Sequence, residues 1–255
     1  MTGGIAVGVR EGTGVGVLRI DSPDTRNALS QGLLSALATG LERLDADPDV
    51  RVIALTGTDD EFATGADHAT LTSADAAIPL HEEFWQRFSA IERPIVAGVA
   101  GFALGAGFEL ALACDVLVAS RQAKLGAPEV TLGLVPGGLV IERLTRTLGA
   151  QRAMELLLVG EPWEAEELHR HGLVNVVSDR KHWFQNTLGV AGKIARAAPV
   201  AVRLTKRAIL AAERQSYPEG LEAARAALAT AITTEDRVEG VTAYLEQRPP
   251  RFEGR

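Results

Sequence analysis

The sequence contains one cysteine, Cys114, and no excess of positive charge. A single cysteine cannot form an intramolecular disulfide, and it is too few for a cysteine-based metal site. The 26 lysines and arginines are outnumbered by 33 aspartates and glutamates, which gives a formal net charge of −7. Because a nucleic-acid-binding domain shows a basic footprint, we do not expect nucleic acid as a partner.

Uninterrupted apolar segments are also scarce. Arg10 and Glu11 interrupt the N-terminal region early, so it does not resemble a signal peptide, and we expect a cytoplasmic protein. The stretch 95–119 carries only Glu109 and Asp115 as charges, but glycines break up its first half. A carboxylate at the centre of an inserted helix costs roughly 2.5–3.5 kcal/mol. We therefore interpret the stretch as a strand, a tight turn and a buried helix, and we expect no membrane partner.

The rest of the composition is that of an ordinary globular protein. The chain has 255 residues, of which 46% are hydrophobic and 23% charged, enough for one or two domains with a large core. Short apolar runs alternate with helical patterns up to about residue 195, and the pattern is helical from Pro199 onward. The sequence thus predicts an α/β core over 1–195 and a helical C-terminal region over 196–255.

Several elements of the core are predicted from local signals. The apolar runs at 5–10 and 15–20, separated by glycines, predict a hairpin. Ser30 is a suitable N-cap for a helix with leucines on one face. The run at 50–56 predicts a strand covered on both faces, and the small residues of 101–107 predict a turn.

Two loops consist of residues too small to cover their own backbone, at 63–67 and 103–107. Both follow apolar strands, and the second leads directly into a helix, whose first N–H groups lack intrahelical acceptors. Two such N–H groups directed at one oxygen form an oxyanion hole. Taken alone, however, small-residue turns more often reflect close packing.

Two glutamates lie in apolar surroundings. Glu109 follows the second small-residue loop inside an apolar helix, and Glu129 follows Pro128 in an otherwise apolar loop. Glutamate is rarely buried without a partner, so two such residues suggest a shared site. If the two carboxyls face each other, burial and repulsion raise one apparent pKa, and one group can accept a proton while the other donates.

Five motifs together resemble the enoyl-CoA hydratase/isomerase (crotonase) family, in register from about residue 5 to 254. They are Arg26-Asn27-Ala28-Leu29, Thr64-Gly65-Ala66-Asp67, the segment 103–111, the segment 128–138 and Gly172-Leu173-Val174-Asn175. The resemblance implies an α/β fold, a crotonase-like spiral of ββα units with a helical C-terminal region. It also implies that the active site lies in the core over 1–195 and that the helical region over 196–255 is an oligomerisation region. The implied assembly is a homotrimer or a hexamer built as a dimer of trimers.

The resemblance assigns roles to individual positions. The backbone N–H groups of Ala66 and Ala106 correspond to the oxyanion hole, although the family more often has glycine at the second position. Glu109 and Glu129 correspond to the catalytic carboxylates. The implied substrate and coenzyme A contacts are Arg26, Ala28, Gly65, Asp67, His68 and Gly105. The implied partner is an acyl-CoA thioester, with no metal and no cofactor beyond the coenzyme A of the substrate.

The pair of glutamates favours an enoyl-CoA hydratase that adds water across the double bond of a 2-enoyl-CoA. Three alternatives stay open: an enoyl-CoA isomerase, a carnitinyl-CoA-type dehydratase and a non-catalytic acyl-CoA-binding protein. The segment 139–143 and His68 depart from the family pattern. Since both positions neighbour the implied acyl pocket, they leave the acyl group open.

Overall fold

The computed structural model describes residues 4–67 and 79–255. Among these residues the strands are β1 (Gly4–Arg10), β2 (Val15–Asp21), β3 (Val52–Thr56), β4 (Glu61–Ala63), β5 (Ile95–Val99), β6 (Phe102–Leu104), β7 (Val116–Ser120), β8 (Lys124–Gly126), β9 (Trp163–Glu164) and β10 (Val176–Ser178). The helices are α1 (Gln31–Ala46), α2 (Pro79–Ser89), α3 (Ala106–Ala113), α4 (Gly138–Leu148), α5 (Ala150–Val159), α6 (Ala165–Arg170), α7 (Trp183–Ala195), α8 (Pro199–Arg214), α9 (Tyr217–Ile232) and α10 (Glu235–Leu245). Single 3₁₀ turns occupy Pro23–Thr25 and Glu129–Leu132.

The larger sheet has the strand order β1-β2-β3-β5-β7-β10. β1 and β2 form the antiparallel hairpin that the sequence predicts, with Arg10 opposite Val15, and the remaining neighbours are parallel. Every residue of β3 and β5 is buried. Continuous apolar runs of this kind are typical of parallel strands that are covered on both faces.

The two faces of this sheet contact different helices. Ile53 and Ala54, neighbours in β3, belong to separate apolar clusters, since alternate side chains of a strand point to opposite faces. The cluster of Ile53 includes the leucines of α1, which begins after Ser30 as predicted, with the Ser30 hydroxyl accepting a hydrogen bond from the Leu33 N–H. The cluster of Ala54 includes Ala191 of α7. The core is therefore a helix–sheet–helix sandwich.

A second, smaller sheet has the order β4-β6-β8-β9, and the sequence did not predict it. The segment 101–107, expected to be only a turn, contains β6, which pairs in parallel with β4 and β8. The expectation was wrong because strands of two or three residues are too short to show a periodic pattern. Their conformation comes from pairing with segments some 20 to 40 positions away in the sequence. This small sheet carries the loops of the candidate site.

The C-terminal helices α8, α9 and α10 have the boundaries that the breaks in the sequence indicate. Lys206 on α8 joins them to the core, since its Nζ lies 2.9 Å from Asp115 Oδ2 and donates to the Arg93 carbonyl at 2.9 Å. Within the described ranges, no helix combines the length and the apolar character needed to cross a membrane.

Candidate active site

The two small-residue loops lie against each other at Gly65 and Gly105. A Cβ atom added to Gly105 would lie 3.7 Å from the Gly65 Cα, and one added to Gly65 would lie 3.3 Å from the Leu104 carbonyl oxygen. Both glycines have positive φ, +107° and +53°, which residues with a side chain rarely adopt. Glycine is therefore required at both positions, and the close approach places Ala66 and Ala106 on neighbouring loops.

The backbone N–H groups of Ala66 and Ala106 donate no hydrogen bond within the part of the chain that the structure describes. Ala106 is the first residue of α3, so its N–H has no acceptor inside the helix. Ala66 forms a parallel bridge with Leu29, but the bond at 2.7 Å runs from the Leu29 N–H to the Gly65 carbonyl. Both alanines are half-buried.

Glu109 lies on α3 and is 9% exposed, so its charged form is poorly solvated. Burial raises the pKa of the Glu109 carboxyl above its ordinary value. The Leu139 N–H, at the start of α4, lowers this pKa, while the charge of Glu129 raises it. A Cβ added to Gly137 would lie 2.4 Å from each Glu109 carboxylate oxygen, so the carboxylate rests directly on the backbone before α4.

Glu129 begins the 3₁₀ turn after β8. Its Oε1 lies 2.9 Å from the position of a Cβ added to Gly105, so the carboxylate borders the loop of Ala106. Its Oε2 is buried and has no hydrogen-bond partner among residues 4–67 and 79–255. Burial also raises the pKa of the Glu129 carboxyl. A buried oxygen without a partner is costly in a folded protein and is typical of a functional site.

The two carboxyls are close enough for the charge of one to affect the pKa of the other. Each carboxylate lies against a glycine, Gly137 for Glu109 and Gly105 for Glu129, so a Cβ added to that glycine would press on the carboxylate. Two carboxyls whose pKa values are both raised are suited to proton transfer, one accepting while the other donates. Beside them, the Ala66 and Ala106 amides offer donors to an oxygen that gains negative charge.

The remaining residues predicted to contact the substrate lie in different surroundings. Arg26 is exposed, and its Nε donates to Glu61 Oε1 at 2.7 Å while its guanidinium lies 5.8 Å from the centre of the Phe102 ring. Ala28 is half-buried in the adjacent loop, and Asp67 is half-buried at the end of the described segment. His68 lies outside the described residues.

Sequence reasoning missed two residues of this region, Asn27 and Glu61. Asn27 is fully buried and bonded to four backbone groups. It lies in the motif Arg26-Asn27-Ala28-Leu29, in which the family resemblance assigns roles to Arg26 and Ala28 but none to Asn27. Glu61 pairs with Arg26 and keeps one buried oxygen, Oε2, without a partner among the described residues. Neither residue lies between apolar neighbours, because Arg26 precedes Asn27 and Asp60 precedes Glu61, so no local signal marked either one.

Comparisons with known proteins agree with this architecture. The model of the enoyl-CoA hydratase/isomerase family matches residues 10–255, and the chain belongs to this family. A probable enoyl-CoA hydratase of Mycobacterium tuberculosis is 39% identical over 241 residues, covering 93% of this chain and 94% of the relative. The 2,3-dehydroadipyl-CoA hydratase of Escherichia coli K12 is 38% identical over 242 residues, covering 94% and 95%.

Solved structures confirm the predicted fold class. An enoyl-CoA hydratase subunit from Geobacillus kaustophilus superposes with a TM-score of 0.91 at 38% identity, covering 99% of this chain and 98% of that one. An enoyl-CoA hydratase from Bacillus anthracis superposes with a TM-score of 0.93 at 32% identity, covering 99% and 100%. The expected crotonase-like α/β spiral with a helical C-terminal region is thus correct.

Proposed function

We propose that this chain is an enoyl-CoA hydratase, which adds water across the double bond of a 2-enoyl-CoA thioester. The observation that carries the proposal is the pair of carboxyls with raised pKa values beside the Ala66 and Ala106 amides: Glu109, which is buried, and Glu129, which has one buried oxygen without a partner among the described residues. The relatives named as hydratases support the same reaction. A site that only bound acyl-CoA would gain nothing from two carboxyls kept at raised pKa.

The reaction begins when the thioester carbonyl oxygen accepts hydrogen bonds from the Ala66 and Ala106 N–H groups. This polarisation withdraws electrons from Cβ of the conjugated double bond. Negative charge then accumulates on the carbonyl oxygen, where the two donors already stand, and each such donor is worth roughly 2.7–4 kcal/mol in related oxyanion holes. Fixed donors cost no reorganisation when the charge develops.

Water supplies the hydroxyl group and the hydrogen that are added. Held between Glu109 and Glu129, a water molecule forms the new C–O bond at Cβ as one carboxylate accepts its proton. The other carboxyl donates the proton that forms the new C–H bond at Cα, and the thioester carbonyl is restored. The proton taken from water then passes to the second carboxylate, directly or through solvent, which resets both groups for the next turnover. Because the addition of water changes no oxidation state overall, the mechanism needs no redox cofactor, and coenzyme A enters only as part of the substrate.

The coenzyme A portion is proposed to lie along the loop of Arg26 and Ala28, next to Gly65 and Asp67. The exposed Arg26 guanidinium has a charge suited to phosphate. His68 completes the contact set proposed from the resemblance. We also propose a cytoplasmic location.

A homotrimer, or a hexamer formed from two trimers, is proposed for the assembly. The helix α9 exposes Leu228 and Ile232, which are 62% and 51% accessible in the single chain. Apolar side chains in a row of this kind are suited to contact with a second copy.

The test is a panel of CoA thioesters analysed by mass and absorbance. We expect a 2-enoyl-CoA to gain the mass of one water and to lose the absorbance of its conjugated thioester. A 3-enoyl-CoA converted to its 2-enoyl isomer without hydration would instead indicate an isomerase. Tight binding with no conversion across the panel would indicate an acyl-CoA-binding protein, and either result would overturn the proposal.

A further inference from the structure

Asn27 occupies a position that the proposed reaction does not explain. Its side chain is fully buried, and its backbone is left-handed with φ +56°. The Nδ2 group donates to the carbonyls of Glu61 at 2.9 Å, Phe62 at 3.1 Å and Ile20 at 3.3 Å. Its Oδ1 accepts from the Ser22 N–H at 2.7 Å. One side chain thus joins the end of β2 to β4.

The strand β4 leads directly into the loop that carries Ala66. Two further bonds connect the same two segments beyond the strand. The Thr64 hydroxyl donates to the Arg26 carbonyl at 2.8 Å, and the Leu29 N–H donates to the Gly65 carbonyl at 2.7 Å. The segment 26–29 therefore holds the 61–66 segment at several successive positions, ending next to the Ala66 amide.

The pair Arg26–Glu61 lies on the outer side of this connection, and Asn27 lies on the inner side. Arg26 is 63% exposed at its side chain, so water screens its ion pair with Glu61. The bonds of Asn27 are shielded from water, because the side chain has no exposed surface. Asn27 is therefore the stronger of the two restraints on β4.

We propose that Asn27 is a positioning residue that fixes the Ala66 N–H in the oxyanion hole. The proposal rests on the proposed function, because it assigns a role to Asn27 only if Ala66 binds the thioester oxygen. An oxyanion hole stabilises charge only when its donors are already in place, so an error in the path of β4 reaches the chemistry directly. Asn27 lies one strand behind the loop and contacts neither the oxygen nor the carboxyls in this assignment.

Two substitutions separate the side chain of Asn27 from its backbone. Asn27→Gly removes all four bonds while keeping the left-handed conformation, which glycine adopts without strain. Asn27→Asp keeps the size and tolerates the same backbone, but it replaces the Nδ2 donor with an acceptor that faces the Glu61 and Phe62 carbonyls. The first variant thus removes the side chain of Asn27, and the second keeps its size but replaces the hydrogen-bond donor with an acceptor.

Asn175 provides the matched control. Its Oδ1 accepts from the Leu117 N–H at 2.8 Å, so it also joins a loop to a strand, but to β7 of the larger sheet. Asn175→Ala removes one side-chain bond to the backbone without affecting β4. We expect this variant to lose stability and to keep the wild-type kcat.

The readout combines kinetics with the spectrum of a bound chromophoric enoyl thioester, whose absorbance moves to longer wavelength when its carbonyl is polarised. In both Asn27 variants we expect this shift to shrink and kcat to fall about tenfold or more, since loss of a whole donor costs about 10²–10³. KM for the CoA thioester should change far less than kcat. The control should keep the full spectral shift.

The outcomes are distinguishable. If the wild-type chain neither hydrates the thioester nor shifts its absorbance, the proposed function fails and this inference fails with it. If the wild type does both and folded Asn27→Gly retains its kcat and spectral shift, only the inference is overturned. If Asn27→Gly does not fold, Thr64→Val is measured instead. A reduced spectral shift supports the positioning role of the 26–29 segment, and an unchanged spectral shift overturns the inference.

Discussion

Every residue of β3 and β5 is buried, whereas Pro199–Arg214, the whole of α8, contains no buried residue. The core gains its stability by removing apolar side chains from water on both faces of one sheet. The C-terminal region instead joins the core through polar contacts such as Lys206 with Asp115. The core therefore completes its burial within one chain, whereas the C-terminal helices expose apolar side chains such as Leu228 and Ile232.

The candidate site belongs to the core, where Glu109 is buried and Ala66, Ala106 and Glu129 are half-buried. Its carboxyls, Glu109 and Glu129, are the polar groups that an apolar core tolerates least, and burial raises the pKa of both. Substitutions in the core site should therefore change activity more than stability. Substitutions that detach the C-terminal region should do the reverse.

The largest effect is expected for Glu109→Gln and Glu129→Gln. Each change keeps the shape of the side chain but removes its ability to exchange protons, so hydration of a 2-enoyl-CoA should fall by about 10²–10⁴-fold. The folded fraction, measured by circular dichroism, should not fall. Glu155→Gln, at an exposed position on α5, serves as control. Normal hydration by both site variants would contradict the assignment of the carboxylates.

A smaller loss of activity is expected for Gly137→Ala. The added Cβ would lie 2.4 Å from both Glu109 carboxylate oxygens, so the carboxylate must move, and a displacement of about 1 Å costs on the order of 10²-fold in rate. Gly138→Ala is the matched control, because an added Cβ there meets no atom of the described residues within 4 Å. Equal steady-state rates in the two variants would show that Glu109 does not need this position.

Lys206→Met tests the contrast in the C-terminal region, where we expect a loss of stability rather than of activity. Loss of the Nζ donor removes the bond to the Arg93 carbonyl and one donor to Asp115 Oδ2, which keeps its bond from the Ile95 N–H, so the free energy of unfolding should fall by about 1–3 kcal/mol. Arg207→Met, which removes an exposed ion pair with Glu92, should cost less than about 1 kcal/mol in the same urea titration. If Lys206→Met lowers kcat without lowering stability, the division between the two regions is wrong.

The smallest expected effect concerns the dependence of stability on pH. Because burial raises the folded-state pKa of Glu109, the folded chain binds more protons than the unfolded chain, and stability falls as pH rises from the ordinary value of 4.5 to the folded-state pKa. Above that range the charged carboxylate stays destabilising. Glu109→Gln should therefore raise the melting temperature at pH 8 and leave it unchanged below pH 4.

Glu42 supplies the comparison of opposite sign. Its hydrogen bond with Arg87 lowers the pKa of the Glu42 carboxyl, so this carboxylate stabilises the folded chain at neutral pH, and that contribution is lost as pH falls through the lowered pKa. Glu42→Gln should therefore lower the melting temperature slightly at pH 8. A fall in melting temperature for Glu109→Gln at pH 8 would contradict the direction of the Glu109 shift.

Much of the core was predictable because its signals are local. The hairpin of β1 and β2 has glycines in its turn, and β3 is a continuous apolar run. The Ser30 side chain caps α1, as its position in the sequence predicts. The small sheet was not predictable, since β6 has only three residues. Within the site, Glu109 and Glu129 were identified from apolar surroundings and resemblance, but the role of Asn27 requires its four bonds.

The amino-acid sequence by itself determined the family, through the order and spacing of its motifs, and the strands and helices that have a period or a cap. Only the tertiary structure decided that the Gly65 and Gly105 loops touch, that the charge of Glu129 raises the pKa of Glu109, and that Asn27 is buried. The physical reason is that burial and contact belong to pairs of distant segments. A local pattern specifies one segment's shape but not its neighbours.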